Sequence, residues 1–160
     1  MVRGGLKPKQ MRRKNIEPDF TYKSVVVSKF VNKLNFKGKK TVAEKIFYDA
    51  MEIIKKRTGE NPFEVFDKAI ESVRPLIEVR PRRVGGATFQ IPVEVSRVRS
   101  VAIATNWLIQ FSQQRKGKPM AECLADEILA ASKKEGSAIK KREDTHKMAE
   151  ANKAFAHYRW

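Results

Sequence analysis

Apolar residues that recur every three or four positions constrain the fold of this chain more than any other feature. The clearest example is a segment whose apolar residues fall on one side of a helix: Ala43, Ile46, Phe47, Ala50, Met51 and Ile54. Thr41 and Glu44 have the spacing of a capping box at the start of this helix, and Gly59 marks its end. Comparable periods elsewhere predict six helices in all.

The helices on either side of this one are predicted from the same period and from their terminal residues. The first begins at Tyr22, although the run Val25–Val27 also favours a strand. The third has Asn61 as its cap and Pro62 at its first position, and Glu64 completes a second capping box.

Three further helices follow in the second half of the chain. The fifth is expected over Pro119–Ser132, and the sixth begins after Gly136. The fourth is capped by Ser96, and its expected buried stripe consists of Val98, Val101, Ala102, Thr105, Leu108, Ile109 and Ser112.

One stretch departs from the helical pattern and alternates with a period of two. A shorter alternation at Ile77 and Val79 precedes it, so the two stretches predict paired strands. The residues expected on the buried face of the second strand are Ala87, Phe89, Ile91, Val93 and Val95.

The connection between these strands, residues 80–86, contains a proline and the pair Gly85–Gly86, which supply turn geometry. We therefore predict a β-hairpin with Arg80, Arg82 and Arg83 at its tip. No carboxylate is expected there to neutralise the three guanidinium groups.

These patterns predict a mostly α-helical protein, a six-helix domain with one protruding two-stranded β-hairpin at about residues 75–95. Residues 20–160 are expected to form this single domain. Residues 1–19 carry six Lys and Arg residues before the first acid, Glu17, and they also contain glycines and prolines. They predict a flexible, basic N-terminal arm that contacts nucleic acid.

Charge narrows the function. The 160 residues include 34 Lys and Arg against 18 Asp and Glu, a formal net charge of +16. Such an excess opposes compaction unless a polyanionic partner neutralises it. The single cysteine, Cys123, excludes an intramolecular disulfide framework and suits a reducing compartment. No apolar run reaches the roughly 20 residues of a membrane-spanning helix, so we expect a soluble, intracellular protein.

Six basic clusters are separated in sequence but could converge on one anionic ligand. Arg97 and Arg99 lie in the first turn of the fourth helix, where the helix dipole favours acids, and this suggests an external anion. The candidate residues of the clusters are Arg3, Lys9, Arg12, Arg13, Lys37, Lys39, Lys40, Arg80, Arg82, Arg83, Arg97, Arg99, Arg115, Lys116, Lys118, Lys140, Lys141 and Arg142.

Catalytic and metal-binding patterns are missing from the sequence. His146 and His157 are eleven residues apart, about 16 Å along a helix, which is too far for one metal ion. Cys123 lies in an alanine-rich helix and is interpreted as a packing residue. We expect no enzyme, metal or cofactor. An architectural DNA-binding protein with a basic β-ribbon is the alternative to an RNA-binding protein, and an RNA-processing enzyme that uses either histidine is a third hypothesis.

Several motifs choose between these alternatives because together they resemble bacterial small-subunit ribosomal protein seven. The resemblance covers nearly the whole chain from about Phe20. The motifs that carry it are Lys29–Lys33, Gly38–Lys40, Val73–Pro75, Arg82–Ala87, Pro92–Val95, Arg142–Asp144 and Met148–Trp160.

This resemblance implies a primary binder of 16S rRNA that nucleates assembly of the head of the 30S subunit. It also implies a place at the subunit interface near the exit-site tRNA, beside small-subunit ribosomal proteins nine and eleven, and hence a cytoplasmic location on the ribosome. The implied rRNA-facing positions are Lys39, Lys40, Arg80, Arg82, Arg83, Gly85 and Gly86, joined by Arg97 and Arg99.

Two further contacts follow from the same resemblance. The hairpin tip, with Arg82, Arg83, Val84 and Gly85, is expected to lie toward the exit-site tRNA. The C-terminal tail is expected to lie against RNA or a neighbouring protein through His157, Tyr158, Arg159 and Trp160.

Overall fold

The computed structural model describes residues 16–158, and within them the predicted six helices and one hairpin are confirmed. The α-helices are α1 Val25–Leu34, α2 Lys40–Thr58, α3 Pro62–Val73, α4 Arg97–Gln114, α5 Met120–Ser132 and α6 Ser137–Ala151. Between α3 and α4 lie the antiparallel strands β1 Ile77–Val84 and β2 Ala87–Glu94. A 3₁₀ helix, Lys153–Tyr158, follows α6.

An aromatic cluster joins the first three helices. Phe47 of α2 is fully buried, and its ring centroid lies 5.5 Å from that of Phe30 in α1 and 5.4 Å from that of Phe66 in α3. The Phe47–Phe66 and Phe30–Phe66 rings meet edge to face, an arrangement that aromatic pairs favour. Helix α5 completes the core with residues that are fully buried, Leu124, Ala125, Ile128 and Ala131.

Residues 25–27 are helical, so the strand that their β-branched side chains also favoured does not form. Ser24 is the N-cap of α1, and its Oγ accepts a hydrogen bond from the N–H of Val26 at 3.3 Å. The helix begins later than Tyr22 because the Asp19 carboxylate accepts the N–H groups of Thr21 and Tyr22 and closes a turn there.

The two predicted capping boxes have different outcomes. Asn61 caps α3 as expected, because its Oδ1 accepts the N–H of Phe63 at 3.1 Å, but Glu64 accepts from the Asn61 side-chain amide at 3.1 Å instead of from the backbone N–H that a capping box uses. The box at Thr41 and Glu44 is wrong, because α2 already begins at Lys40. Glu44 instead pairs with the Lys40 ammonium at 3.6 Å, one turn away.

The buried stripe of α4 is rotated relative to the prediction. Thr105, Leu108, Ile109 and Ser112 are buried as expected, whereas Val98 and Ala102 are exposed and Val101 is half-buried. Ser100 and Ala104 are buried in their place. Small residues at these two positions let neighbouring helices approach, and a pattern of large apolar residues does not reveal that.

Replacing Phe47 with alanine should lower the free energy of unfolding by about 3–5 kcal/mol, because the truncation leaves a cavity between α1, α2 and α3. Urea denaturation measures the loss. Val42→Ala on the same helix is the control, since Val42 is 51% exposed and should change stability by under about 0.5 kcal/mol. Equal stabilities for the two variants would contradict the placement of Phe47 in the core.

Replacing Asn61 with alanine should cost about 1 kcal/mol, because the first turn of α3 loses the acceptor for its backbone N–H. Ser96→Ala is a matched control. Ser96 occupies the same position before α4 but makes no side-chain capping hydrogen bond, so its replacement should be nearly neutral. Thermal unfolding followed by circular dichroism compares them, and an equal loss in both variants would refute the capping assignment.

Candidate nucleic-acid interface

The hairpin closes with a tight two-residue turn rather than the longer loop that the sequence predicted. Val84 pairs with Ala87, so only Gly85 and Gly86 lie between the strands. Their φ angles are +57° and +88°, values that glycine adopts without the steric cost that a Cβ imposes. Strand β1 therefore runs through residues 80–83, and the arginines belong to a strand whose side chains alternate between two faces.

The strand register places the two outermost arginines on opposite faces. Arg82 lies across from Phe89, whereas the adjacent Arg83 lies across from Thr88 and is on the other face. Both arginines are exposed. The predicted cluster of three arginines at one tip is thus corrected to a ribbon that presents a guanidinium group on each side.

Fewer side chains of β2 are buried than the alternating sequence pattern predicted. Ile91 is buried, and Phe89, Val93 and Val95 are half-buried. Ala87 is exposed because it lies next to the turn, beyond the reach of the helical body. The ring of Phe89 contacts that of Phe155 from the 3₁₀ helix, with centroids 5.1 Å apart, so the C-terminal segment supports this strand.

A buried carboxylate holds the base of the hairpin. Glu78 accepts the Nε–H of Arg99 at 3.0 and 2.9 Å, and it also pairs with Arg80. Burial raises the pKa of the Glu78 carboxyl, but the hydrogen bonds and charges of Arg99 and Arg80 outweigh that effect and bring the pKa below its usual value. The expectation that no carboxylate neutralises the hairpin arginines is therefore wrong for Arg80.

The same contacts explain the cations in the first turn of α4. Arg99 is paired with Glu78, and Arg97 lies 3.3 Å from Glu71 of α3. At these two positions, the anion that was expected from the helix dipole is a carboxylate of the protein itself. An external anion is therefore not required to explain why Arg97 and Arg99 lie in the first turn of α4.

His146 is a structural residue of the hairpin base. Its Nε2 accepts the N–H of Leu76 at 3.1 Å, just before β1 begins. Burial, with a further contribution from the Arg142 charge, lowers the pKa of the imidazole, which favours the neutral form that this acceptor role needs. His157 contacts the carbonyl of Ala154 at 2.8 Å within its own 3₁₀ helix.

Three further candidates are paired with acceptors of the helical body. Arg115 donates to the buried Glu127 at 3.0 and 2.6 Å, and the Lys118 ammonium lies 3.0 Å from Asp126. Arg142 donates to the carbonyl of Ser72 and lies 3.5 Å from Glu143. These residues have a structural role whether or not they also contact a ligand.

Other candidates have no carboxylate partner within residues 16–158, and all of them are exposed. They are Lys37, Lys39, Arg82, Arg83, Lys116, Lys140 and Lys141. Lys37 lies over the ring of Phe36, with its ammonium 5.5 Å from the centroid. Arg3, Lys9, Arg12, Arg13, Arg159 and Trp160 lie outside the described residues.

The structure brings some of the basic clusters together and keeps others apart. Arg80 and Arg99 share one carboxylate, and Arg97 lines a groove with Lys29 and Lys33 of α1, two lysines that the candidate set did not include. Arg115 follows the far end of α4, about 27 Å along the helix axis from Arg97. A single compact patch therefore does not contain all of the clusters.

The described part of the chain offers neither a metal site nor a membrane-spanning helix. Residues 16–158 contain no group of three or more His, Cys, Asp or Glu side chains placed to hold a metal ion. Over the same span, no helix combines the length and apolar character needed to cross a bilayer. Cys123 is buried, in agreement with its interpretation as a packing residue.

A helical body with an exposed arginine ribbon and free lysines in several loops defines a class of basic protein that binds a polyanion. Comparison with known protein families identifies the family within this class to which the chain belongs. A family model described as ribosomal protein S7p/S5e matches residues 6–153. The chain belongs to this family.

Similar proteins in bacteria support the assignment over the full length. The chain is 61% identical to small ribosomal subunit protein uS7 of Endomicrobium trichonymphae and 58% identical to that of Elusimicrobium minutum, in both cases over 100% of each protein. It is 52% identical to the uS7 protein of Thermotoga neapolitana, over 97% of this chain and 100% of that protein.

Family membership confirms the main functional expectations. The protein is a structural, rRNA-binding constituent of the small ribosomal subunit, acts in translation and is not an enzyme. As a bacterial-type ribosomal protein it is located in the cytoplasm, on the ribosome. The DNA-binding alternative and the RNA-processing hypothesis are set aside, the latter also because His146 is engaged in the hairpin base.

Replacing Glu78 with glutamine should lower the free energy of unfolding at pH 7 by about 1–2 kcal/mol, because two half-exposed arginines lose a charged acceptor. The folded-state pKa of Glu78 is below its ordinary value of 4.5. The stability from this carboxylate is therefore present above pH 4.5 and is lost as the pH falls through the lowered pKa.

Urea unfolding of wild type and variant at several pH values between about 7 and 3 tests both statements. The difference between them should shrink toward the acid end, as Glu78 becomes protonated in the wild type. Glu94→Gln is the control, because Glu94 is exposed on β2 and has no ion pair among residues 16–158. A difference from wild type that stays constant with pH would show that Glu78 does not act through its charge.

Proposed function

We propose that the free cations of the hairpin and loops are the residues through which this protein binds 16S rRNA. The observation that carries the proposal is the outer part of the hairpin. There, Arg82 and Arg83 are exposed and have no carboxylate partner in the described chain, while the arginines at the base of the hairpin are paired. A cation without an internal partner can bind a phosphate without first giving up an ion pair. Its binding therefore costs less free energy than that of a paired cation.

The geometry of the ribbon favours recognition of folded RNA by phosphate and shape. Each outer arginine presents a planar guanidinium group that can donate two hydrogen bonds to one phosphate. Gly85 and Gly86 carry no side chain at the end of the ribbon, and a Cβ built on either would meet no atom within 4 Å. Backbone N–H groups at this turn can therefore approach an RNA strand closely.

The remaining candidates extend this contact surface. Five exposed lysines in or beside loops bind phosphates at positions separate from the ribbon. They are Lys37, Lys39, Lys116, Lys140 and Lys141. The candidates that have an internal partner contact rRNA with the part of each side chain that this partner leaves accessible. They are Lys40, Arg80, Arg97, Arg99, Arg115, Lys118 and Arg142.

Both ends of the chain belong to the same proposal. We assign the basic arm, residues 1–19 with Arg3, Lys9, Arg12 and Arg13, to rRNA, and residues 20–160 to a single domain. The tail from His157 to Trp160 contacts RNA or a neighbouring protein. Support for the tail comes from Phe155, whose contact with Phe89 places the 3₁₀ helix beside β2.

The resemblance supplies the finer placement. Within the proposal, the protein is a primary 16S rRNA binder that nucleates assembly of the 30S head. Its ribbon end, with Arg82, Arg83, Val84 and Gly85, lies toward the exit-site tRNA at the subunit interface, and small-subunit ribosomal proteins nine and eleven are its neighbours. Two guanidinium groups on opposite faces support this placement, since they allow rRNA on one side and tRNA on the other.

Replacing Arg82 and Arg83 together with alanine should weaken binding to a transcript of the head domain of 16S rRNA by about 10-fold to 100-fold. Filter binding at several salt concentrations should also give a smaller salt slope, because fewer counterions are released. The melting temperature should stay nearly unchanged, since neither side chain has an ion pair within the described residues.

The matched control replaces two exposed lysines of α2, Lys45 and Lys55, with alanine, which removes the same charge from another surface. It should reduce affinity less than the hairpin variant does. Equal losses in the two variants would show that net charge, rather than the ribbon, governs binding. An unfolded hairpin variant would show that these arginines stabilise the fold.

A further inference from the structure

A groove between α1 and α4 combines an apolar floor with a rim of cations. Its volume is about 500 Å³, enough for a nucleotide. The floor is made by Ile16, Val26, Val98, Val101 and Ala102. Val98 is 73% exposed and Ala102 is also exposed, so this part of the floor is open to solvent, whereas Val26 and Val101 also pack against the core.

The charged residues that line the rim in the described part of the chain are all cations. Lys29 and Lys33 lie four residues apart on the same side of α1, and both are exposed without an ion pair in the described chain. Arg97 approaches from the start of α4 and also contacts Glu71. Among residues 16–158 no carboxylate lines the groove, so the charge of its lining favours an anionic occupant.

Asn106 adds a polar group inside the groove. It is exposed, and its side-chain amide makes no hydrogen bond to another residue among 16–158. The neighbouring Thr105 differs in this respect, because its hydroxyl donates to the carbonyl of Val101. The Asn106 amide therefore has both a donor and an acceptor available to a ligand.

We propose that this groove holds an unpaired nucleobase of the rRNA. The base lies on Val98, Val101 and Ala102, and the phosphates on either side of it contact Lys29 and Lys33. The Asn106 amide bonds the edge of the base, for which adenine offers the matching donor and acceptor pair. This inference rests on the proposed rRNA binding and adds a contact outside the hairpin.

The chemistry of the groove distinguishes a nucleotide from other ligands. Phosphate alone would not use an apolar floor, and an amphipathic peptide would match the lysines only if it carried carboxylates beside its apolar face. An unstacked nucleotide offers a flat apolar face and a charged backbone within one residue, and proteins commonly bind unpaired bases of single-stranded RNA loops through their faces and edges.

Replacing Ala102 with phenylalanine fills the floor without changing charge. Binding to the 16S head-domain transcript should weaken about 10-fold, because the added ring occupies the space of the base, with the salt slope unchanged. Asn106→Leu should weaken it severalfold. Val42→Phe, which adds a similar ring to an exposed site on α2, should bind like the wild type.

The charge of the rim is tested separately. Lys29→Gln with Lys33→Gln should reduce the salt slope, and Lys45→Gln with Lys55→Gln is its control. Groove variants that bind like wild type, while the Arg82 and Arg83 variant loses affinity, would overturn the groove and leave the proposed function intact. The opposite result would overturn the role of the ribbon instead.

A cross-link identifies the occupant directly and does not depend on how well the Ala102 variant folds. A benzophenone side chain placed at Val98 is irradiated in reconstituted small subunits, and the product is mapped. A cross-link to an RNA base supports the proposal. A cross-link to residues 1–15 of the same chain, to another ribosomal protein, or to nothing would overturn it.

Discussion

One buried carboxylate determines how the second half of the chain is assembled. The Glu127 side chain is almost completely buried, and its Oε2 accepts two hydrogen bonds from Arg115 while its Oε1 accepts the N–H of Ala138 at 3.1 Å. A Cβ on Gly136 would lie 3.3 Å from that Oε1, so glycine leaves room for the contact. Loss of Arg115 would leave the buried carboxylate without its countercharge, a costly change.

The hairpin depends on this junction through α6. Glu127 fixes the start of α6, His146 in the middle of the same helix accepts a hydrogen bond from Leu76, and the segment after its end brings Phe155 onto Phe89. The ribbon is thus held at its base and along one strand by a helix whose own position is set some distance away. Few acids are available for such contacts, and several serve more than one cation, as Asp126 does with Arg57 and Lys118.

Much of this arrangement could be predicted from local sequence signals. The helical periods located all six helices, and Asn61 with Pro62 located the start of α3, because capping and propensity act over a few residues. The turn was placed correctly at Gly85–Gly86, but its length was not, because proline and three arginines in sequence are more typical of a loop than of a strand. Edge positions tolerate proline in strands, and a two-stranded ribbon consists only of edges.

The ion pairs could not be predicted because their partners are distant in sequence. Arg99 and Glu78 are 21 residues apart, and Arg97 and Glu71 are 26 apart. A list of basic residues does not distinguish a cation that holds the fold from one that is available to RNA. That distinction requires the packing of α3, α4 and the hairpin. The exposed face of α4 was missed for a similar reason, since Ser100 and Ala104 are buried by neighbours and not by their own hydrophobicity.

The two-residue turn has a consequence for evolution of the ribbon. With Val84 opposite Ala87, there is no slack in the connection, and a single inserted residue in β1 would exchange the faces of Arg82 and Arg83. The number of residues in the ribbon therefore determines which face each arginine occupies. We expect the ribbon to tolerate substitutions more readily than insertions or deletions.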